Sequence, residues 1–232
     1  MDPRQRLIVA LDVSSSAAAQ KIVAAVGDSA HAYKVGMQLY TAEGPGIVSE
    51  LVSSGRRIFL DLKYHDIPNT VGAAVHEAAQ LGVSMLTVHA SGGGKMLRAA
   101  IEAAQGTNPY PLVLAVTVLT SLDDADLNMI GVRGGTLDQV LRLTALALSN
   151  GCQGVVASAQ EASALREEFG RDFTIVTPGV RPAGSGADDQ ARIVTPAEAI
   201  AAGASFIVVG RPITEATDPA AEARAILGQL VA

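Results

Sequence analysis

The run Asp61-Leu62-Lys63-Tyr64-His65-Asp66-Ile67-Pro68-Asn69-Thr70 is the richest in reactive side chains. Asp61 and Lys63 stand two residues apart at the end of an apolar run. On a strand that spacing puts both side chains on one face and Leu62 on the other. A carboxylate and an ammonium facing one cavity form a charge pair whose amine can donate a proton. Asp66 follows three residues after Lys63, past the expected end of the strand. A second carboxylate near Lys63 would keep its amine protonated, because opposite charge favours the charged form. Taken alone, Asp-x-Lys is equally an ordinary ion pair at a strand end, and the spacing does not choose.

Such a pair needs a rigid frame, and the rest of the chain supplies the pattern of one. Short apolar runs occupy Leu7–Leu11, Ala32–Val35, Ile58–Leu62, Met85–Val88, Leu112–Leu119, Gly154–Ala157, Thr174–Val176 and Phe206–Val209. Several are continuous Ile/Val/Leu without polar alternation, as in parallel strands covered on both faces. Between them lie Ala-rich helical stretches: Ser16–Val26, Ala42–Ser53, Thr70–Leu81, Lys95–Ala104, Leu137–Ser149 and Gln160–Phe169. Leu137, Val140, Leu141 and Thr144 show the i, i+3, i+4, i+7 spacing of a helix face. Gly82, Gly106, Gly151 and Gly203 are expected to end helices, and Asp218–Pro219 reads as an N-cap followed by proline at the first helical position. Eight strands and about eight helices in 232 residues give about 29 residues per unit, the arithmetic of an α/β protein folded as a (β/α)₈ TIM barrel. A doubly wound open sheet is the competing architecture. No linker or composition shift divides the chain, so residues 1–232 are expected to form a single domain.

Composition narrows the class. The chain is 49% hydrophobic and 17% charged, which excludes intrinsic disorder. It has no Trp, four Phe and four Tyr, so the core must be built from Ala, Val, Leu and Ile. A net charge of −6 argues against a general nucleic-acid binder while leaving room for a local basic pocket. The single Cys152 cannot form an intramolecular disulfide and reads as a small core residue. No apolar run reaches the ~18 residues of a membrane span, and residues 1–6 leave no room for a signal peptide before the first strand. The expectation is a soluble, cytoplasmic protein.

In a (β/α)₈ barrel chemistry sits at the C-terminal ends of the strands. The polar residues there are Asp12, Lys34, Asp61 with Lys63, His89, Thr120, Pro178–Arg181 and Gly210–Arg211.

The pattern Asp61-x-Lys63-x-x-Asp66-Ile67-Pro68-x-Thr70 resembles the signature of the orotidine 5′-phosphate decarboxylase family. The resemblance runs through the chain in family order: Leu7-Ile8-Val9-Ala10-Leu11-Asp12, Tyr33-Lys34-Val35-Gly36, Thr87-Val88-His89-Ala90, Thr117-Val118-Leu119-Thr120-Ser121, Thr177-Pro178-Gly179-Val180-Arg181-Pro182 and Val208-Val209-Gly210-Arg211-Pro212-Ile213. It implies loss of CO₂ from C6 of orotidine 5′-monophosphate in pyrimidine biosynthesis, with no metal and no cofactor. Under it, Lys63 stabilises and then protonates the C6 carbanion, by charge placement and general acid catalysis. Asp61 lies near the departing carboxylate, Lys34 pairs with Asp61 and touches the ribose, and Asp12 accepts from ribose hydroxyls. Asp66 acts as a catalytic residue in the other subunit's site, with Ile67 and Thr70 beside it, so a homodimer with shared sites is implied. Thr120, Ser121, Pro178, Arg181, Gln190, Gly210 and Arg211 complete the substrate-binding set. Lys34, Asp61, Lys63 and Asp66 sum to zero charge, so no buried ion would be left uncompensated.

Loops after strands seven and eight of such barrels commonly bind phosphate. Arg211 offers a bidentate guanidinium, and Gly210 a backbone that a ligand can approach closely. The segment around Gly184-Ser185-Gly186, between Arg181 and Gln190, is too poor in apolar anchors to pack firmly and reads as a lid. Gly92-Gly93-Gly94-Lys95 lacks the spacing of a triphosphate loop. His65 and His89 match no common metal-ligand spacing, and His89 is expected to make a structural hydrogen bond. Asp123-Asp124-Ala125-Asp126 reads as a solvated loop.

Three rivals remain. The related 3-keto-gulonate 6-phosphate decarboxylases share Asp-x-Lys-x-x-Asp but bind magnesium with an acidic residue two positions before it, where this chain has Phe59. A non-catalytic nucleotide-binding relative would have no need of the intact Asp61/Lys63/Asp66 set. A phosphosugar isomerase on the same barrel would need a carboxylate or thiol base, and no Glu ends a strand here.

Overall fold

A computed structural model describes residues 5–182 and 194–230. The strands are β1 (Leu7–Ala10), β2 (Ala32–Gly36), β3 (Arg57–Tyr64), β4 (Met85–His89), β5 (Leu112–Val116), β6 (Gly154–Val156), β7 (Thr174–Thr177) and β8 (Phe206–Val209). The helices are α1 (Ser16–Val26), α2 (Met37–Glu43), α3 (Gly46–Ser53), α4 (Pro68–Gln80), α5 (Gly93–Gln105), α6 (Asp124–Met129), α7 (Thr136–Ser149), α8 (Ala159–Phe169), α9 (Pro196–Ala201), α10 (Arg211–Thr214) and α11 (Pro219–Gly228). All eight strands are parallel, and β8 pairs with β1 to close the barrel in the order β1 to β8. The open-sheet alternative is thereby excluded.

Strand parity sorts the core into two shells. Ile8, Ala10, Ala32, Phe59, Met85, Leu114, Val176, Phe206 and Val208 fill the barrel interior. Their strand neighbours Val9, Tyr33, Val35, Ile58, Leu60, Leu86, Val113, Ile175 and Ile207 pack outward with the helices. Both faces of each strand are buried, which is why the runs lack polar alternation. Cys152 is buried, and that burial pushes its thiol up to about 12.

The departures from expectation have local causes. The helix expected over Ala42–Ser53 is two helices, α2 and α3, broken at Gly44-Pro45. Gly44 sits at φ +69, and Pro45 has no N–H to continue the ladder. Gly82, Gly151 and Gly203 follow helices with positive φ, but Gly106 has φ −69, so its freedom from a side chain is not what stops α5. The run Leu112–Leu119 leaves the sheet after Val116 because β6, its neighbour, ends at Val156. Thr117 makes the last contact, donating from its N–H to the Val156 carbonyl at 3.3 Å. Asp123–Asp126 is not a loop but the capping box of α6. The Asp123 carboxylate accepts from the Ala125 and Asp126 N–H groups at 2.8 and 2.9 Å, and Asp126 accepts from the Asp123 N–H. Asp218 caps α11 as expected, accepting from the Ala221 N–H at 2.9 Å. Among the described residues no helix is long and apolar enough to cross a membrane.

Candidate active site

At the C-terminal end of the barrel the inward parity passes from apolar to charged residues. Two positions beyond Ala32 comes Lys34, two beyond Phe59 comes Asp61, and two beyond Met85 comes Thr87. Lys34 and Asp61 floor a cavity of about 580 Å³, walled by Val116, Val118, Val156 and Val208 and rimmed by Asp12, Thr120, Pro178, Arg181, Gly210 and Arg211, while Thr87 is fully buried against Asp61 and outside that lining.

The charges form one chain of contacts. Lys63 Nζ lies 2.9 and 2.8 Å from the two Asp61 carboxylate oxygens. Lys34 Nζ is 3.9 Å from Asp61 and donates to Asp12 Oδ1 at 2.7 Å. The Asp61 and Lys34 side chains are each only 12% exposed, against 55% for Asp12, so the network runs from the barrel interior out to solvent. Its four members carry two positive and two negative charges, which lets it be largely buried without a net ion. Gly36 makes room for it. A Cβ there would stand 2.8 Å from Lys34 Nζ and 3.1 Å from Asp12 Oδ1.

The expected same-face placement of Asp61 and Lys63 holds, but simple pleating does not produce it. Leu60 pairs with Leu86 and Tyr64 with Val88, so residues 61 to 63 of β3 stand against Thr87 alone. The surplus on β3 is even, so it preserves the alternation of faces that an odd slip would invert. Within this bulge Lys63 adopts φ +53 and is the one non-glycine among the described residues with positive φ. That conformation costs roughly 1–2 kcal/mol for a residue with a Cβ. Bulges that re-aim a side chain are frequent beside active sites.

Asp66, Ile67 and Thr70 are not in this cluster. Asp66 makes no ion pair with Lys63. Its carboxylate accepts from the adjacent Ile67 N–H at 2.6 Å, because the chain turns outward at Pro68 to start α4. Ile67 is 67% exposed. Within one chain, then, Asp66 does not stand beside Lys63. Ser121 is exposed and outside the cavity lining, whereas Thr120 lines it. Gln190 and the lid around Gly184–Gly186 lie outside the described residues. Their flanks meet at the rim, where Val180 pairs with Val194 and the Arg181 N–H donates to the Val194 carbonyl at 3.0 Å. A Cβ at Gly210 would meet only Ala10 Cβ, at 3.5 Å, so packing within the chain does not demand glycine there.

The His89 ring makes no hydrogen bond among the described residues, contrary to expectation. Its ring lies 5.3 Å from that of His65. Burial, then His65 and Lys63, lower its pKa, so it is neutral near pH 7. Among the described residues no three His, Cys, Asp or Glu side chains converge as metal ligands. Sequence reasoning missed Thr87 and the valine wall, though the inward parity that singles out Lys34 and Asp61 points to both.

Comparison with known proteins bears on this geometry. Residues 5–226 match the family model described as Orotidine 5′-phosphate decarboxylase / HUMPS family. The chain is 52% identical over 227 residues to the orotidine 5′-phosphate decarboxylase of Halorhodospira halophila, covering 98% of this chain and 96% of that one. It is 49% identical over 221 residues to that of Hydrogenovibrio crunogenus, covering 95% and 94%. The crystal structure of orotidine 5′-phosphate decarboxylase from Lactobacillus acidophilus superposes with a TM-score of 0.89 at 40% identity, covering 98% of this chain and all of that one.

Proposed function

Because the chain belongs to the orotidine 5′-phosphate decarboxylase / HUMPS family and is a carboxy-lyase of it, we propose that it converts orotidine 5′-monophosphate to uridine 5′-monophosphate by charge placement alone, without metal or cofactor. The observation that carries this reading is the bidentate Lys63–Asp61 contact inside an apolar-walled cavity. In the proposed step the C6–carboxylate bond breaks, CO₂ leaves and the electron pair stays on C6. The Lys63 ammonium stabilises that pair and then gives it a proton. Solvent later reprotonates the neutral amine. Fixed charges in a water-poor site act more strongly than in bulk solvent and need no reorganisation as the reaction proceeds.

Asp61 would face the substrate carboxylate, and its repulsion would ease departure of CO₂. Lys34 and Asp12, joined at 2.7 Å, would hold ribose hydroxyls. Thr120 and Pro178 would line the pyrimidine side, Ser121 would add a hydroxyl beside Thr120 from outside the present cavity lining, and Arg181, Gln190, Gly210 and Arg211 would take the phosphate. A ligand backed against Gly210 would explain the glycine that internal packing does not. Phe59 in place of a magnesium ligand favours the orotidine substrate over the sugar-phosphate alternative of the same family. The exposure of Asp66, Ile67 and Thr70 supports their acting in a partner's site, and so supports a homodimer.

The direct test follows the orotate absorbance of orotidine 5′-monophosphate with purified protein and excess EDTA. Loss of the chromophore at an undiminished rate is expected. No turnover with or without EDTA would overturn the substrate, and turnover abolished only by EDTA would overturn the metal-free mechanism. Sharing of sites is tested by subunit mixing. Asp66→Ala and Lys63→Ala homodimers should each be nearly inactive, while a verified mixed dimer should recover one intact site. A mixed dimer without activity would remove Asp66 from the partner's site.

A further inference from the structure

Thr87 is fully buried at the inward end of β4 and stands alone against the three bulged residues of β3. Its hydroxyl has one proton to give and lone pairs to receive, and both capacities are used on the site. It accepts from the Lys63 backbone N–H at 2.9 Å and donates to Asp61 Oδ1 at 3.1 Å. The same Asp61 oxygen receives Lys63 Nζ. One hydroxyl thus ties the backbone of one charged residue to the side chain of the other.

We infer that Thr87 is a positioning residue for the decarboxylation: its hydroxyl holds the bulge that aims the Lys63 ammonium and fixes the rotamer of Asp61. Three features of the geometry support this. Lys63 occupies a left-handed backbone conformation, which persists only where the surroundings over-determine it. The Lys63 N–H lies where the regular ladder with β4 is interrupted, and a buried N–H needs an acceptor. The Thr87 hydroxyl supplies it. Asp61 Oδ1, finally, takes two donors from two directions, so the carboxylate cannot rotate without losing one. Displacement of a reacting group by about 1 Å costs on the order of 10²-fold in rate, and Thr87 is placed to prevent such a displacement without touching substrate.

This inference rests on the proposed decarboxylase chemistry, and its test separates the two. Thr87→Val keeps the shape and removes the hydroxyl, whereas Thr87→Ser keeps the hydroxyl. Steady-state kinetics on orotidine 5′-monophosphate, the Kd for uridine 5′-monophosphate and thermal melting are measured for the parent and both variants. Thr87→Val is expected to lower kcat about 10²-fold per folded molecule, with KM and product Kd within threefold. Thr87→Ser is expected to stay within fivefold of the parent. A purely structural role would lower Tm and the folded yield while leaving kcat per folded molecule unchanged, and that result overturns the inference. So does a Thr87→Val kcat within threefold of the parent, or a Thr87→Ser loss as large as that of valine. If Thr87→Val does not fold, Thr87→Cys, which fills similar space with a weak donor and acceptor, is held to the same criteria. A parent protein without turnover overturns the decarboxylase reading and this inference with it. An active parent with an equally active Thr87→Val overturns only the role of Thr87.

Discussion

The two rims of the barrel use cations in opposite ways. At the C-terminal rim, Lys34 and Lys63 meet carboxylates across an open cavity. At the N-terminal rim, arginines are spent on backbone carbonyls. Arg6 donates to the Ser205 and Ala204 carbonyls at 3.2 and 2.7 Å. Arg166 of α8 donates to Gly203 and Phe173 carbonyls at 3.0 and 2.9 Å and to Ser205 Oγ at 3.0 Å. A guanidinium has five donors in a fixed fork and suits several acceptors at once, whereas an ammonium is a compact, movable charge. The lower rim locks strand entries together. The upper rim keeps its charges balanced by one another and free to meet a ligand. Damage above should therefore cost turnover and spare the fold, and damage below should do the reverse.

The sharpest way to break that division is Lys63→Ala. Losing the proposed proton donor together with its charge should lower kcat/KM by about 10⁴-fold or more, roughly 5 kcal/mol or above. The far-UV spectrum and Tm should remain near those of the parent. Turnover within tenfold of the parent would dismiss Lys63 as donor.

Arg211→Ala should have the next largest effect. Its loss should lower kcat/KM at least about 10²-fold, near 2.7 kcal/mol, as expected for a charge-assisted bidentate phosphate contact. Orotidine, which lacks the phosphate, sharpens this test, since the substitution should barely change its slow turnover. An equal loss on both substrates would mean that Arg211 supports the fold or the pyrimidine site instead.

The division between rims was only partly legible in the sequence. Parallel strands announce themselves by unbroken Ile/Val/Leu, and the polar residues ending them mark the active rim, so Asp12, Lys34, Asp61 and Lys63 could be found by position. The β3 bulge could not. Its even surplus leaves the face of every residue as simple alternation would have it, and nothing in Asp-Leu-Lys-Tyr signals a left-handed lysine. Thr87 was hidden for a related reason. A threonine in an apolar run is an ordinary strand former, and its role depends on which β3 residues it meets, a matter of register. The helix break at Gly44-Pro45 is legible in the residue types alone, a glycine free to take positive φ followed by a proline with no N–H. Asp66 shows a different limit. Its proposed role needs a second chain, and one chain shows only that it faces outward.

The smallest predicted effect on turnover belongs to the lower rim, at Arg166. Its guanidinium ties α8 to the residues preceding β7 and β8, and it stacks 4.6 Å over the Phe173 ring. Ser205 Oγ, which it contacts, also accepts the Ile175 N–H at 3.1 Å, so one side chain stabilises two adjacent strand entries. Arg166→Ala removes several charge-assisted bonds whose carbonyls water can only partly reach. The expected cost is about 2 kcal/mol of stability, a fall in Tm of roughly 4–8 °C for a domain of this size. Arg166→Lys should recover little of it, because a single ammonium cannot reach acceptors spread across Gly203, Phe173 and Ser205. Neither substitution should change kcat/KM by more than about twofold at 25 °C, since the barrel between the rims is filled by Ile8, Phe59, Met85, Leu114 and Phe206 and close-packed interiors hold their geometry. Calorimetry paired with steady-state kinetics decides the matter. A tenfold loss of kcat/KM at an unchanged Tm would show that the entry rim acts on the site through the core, and the separation of stability below from chemistry above would fail.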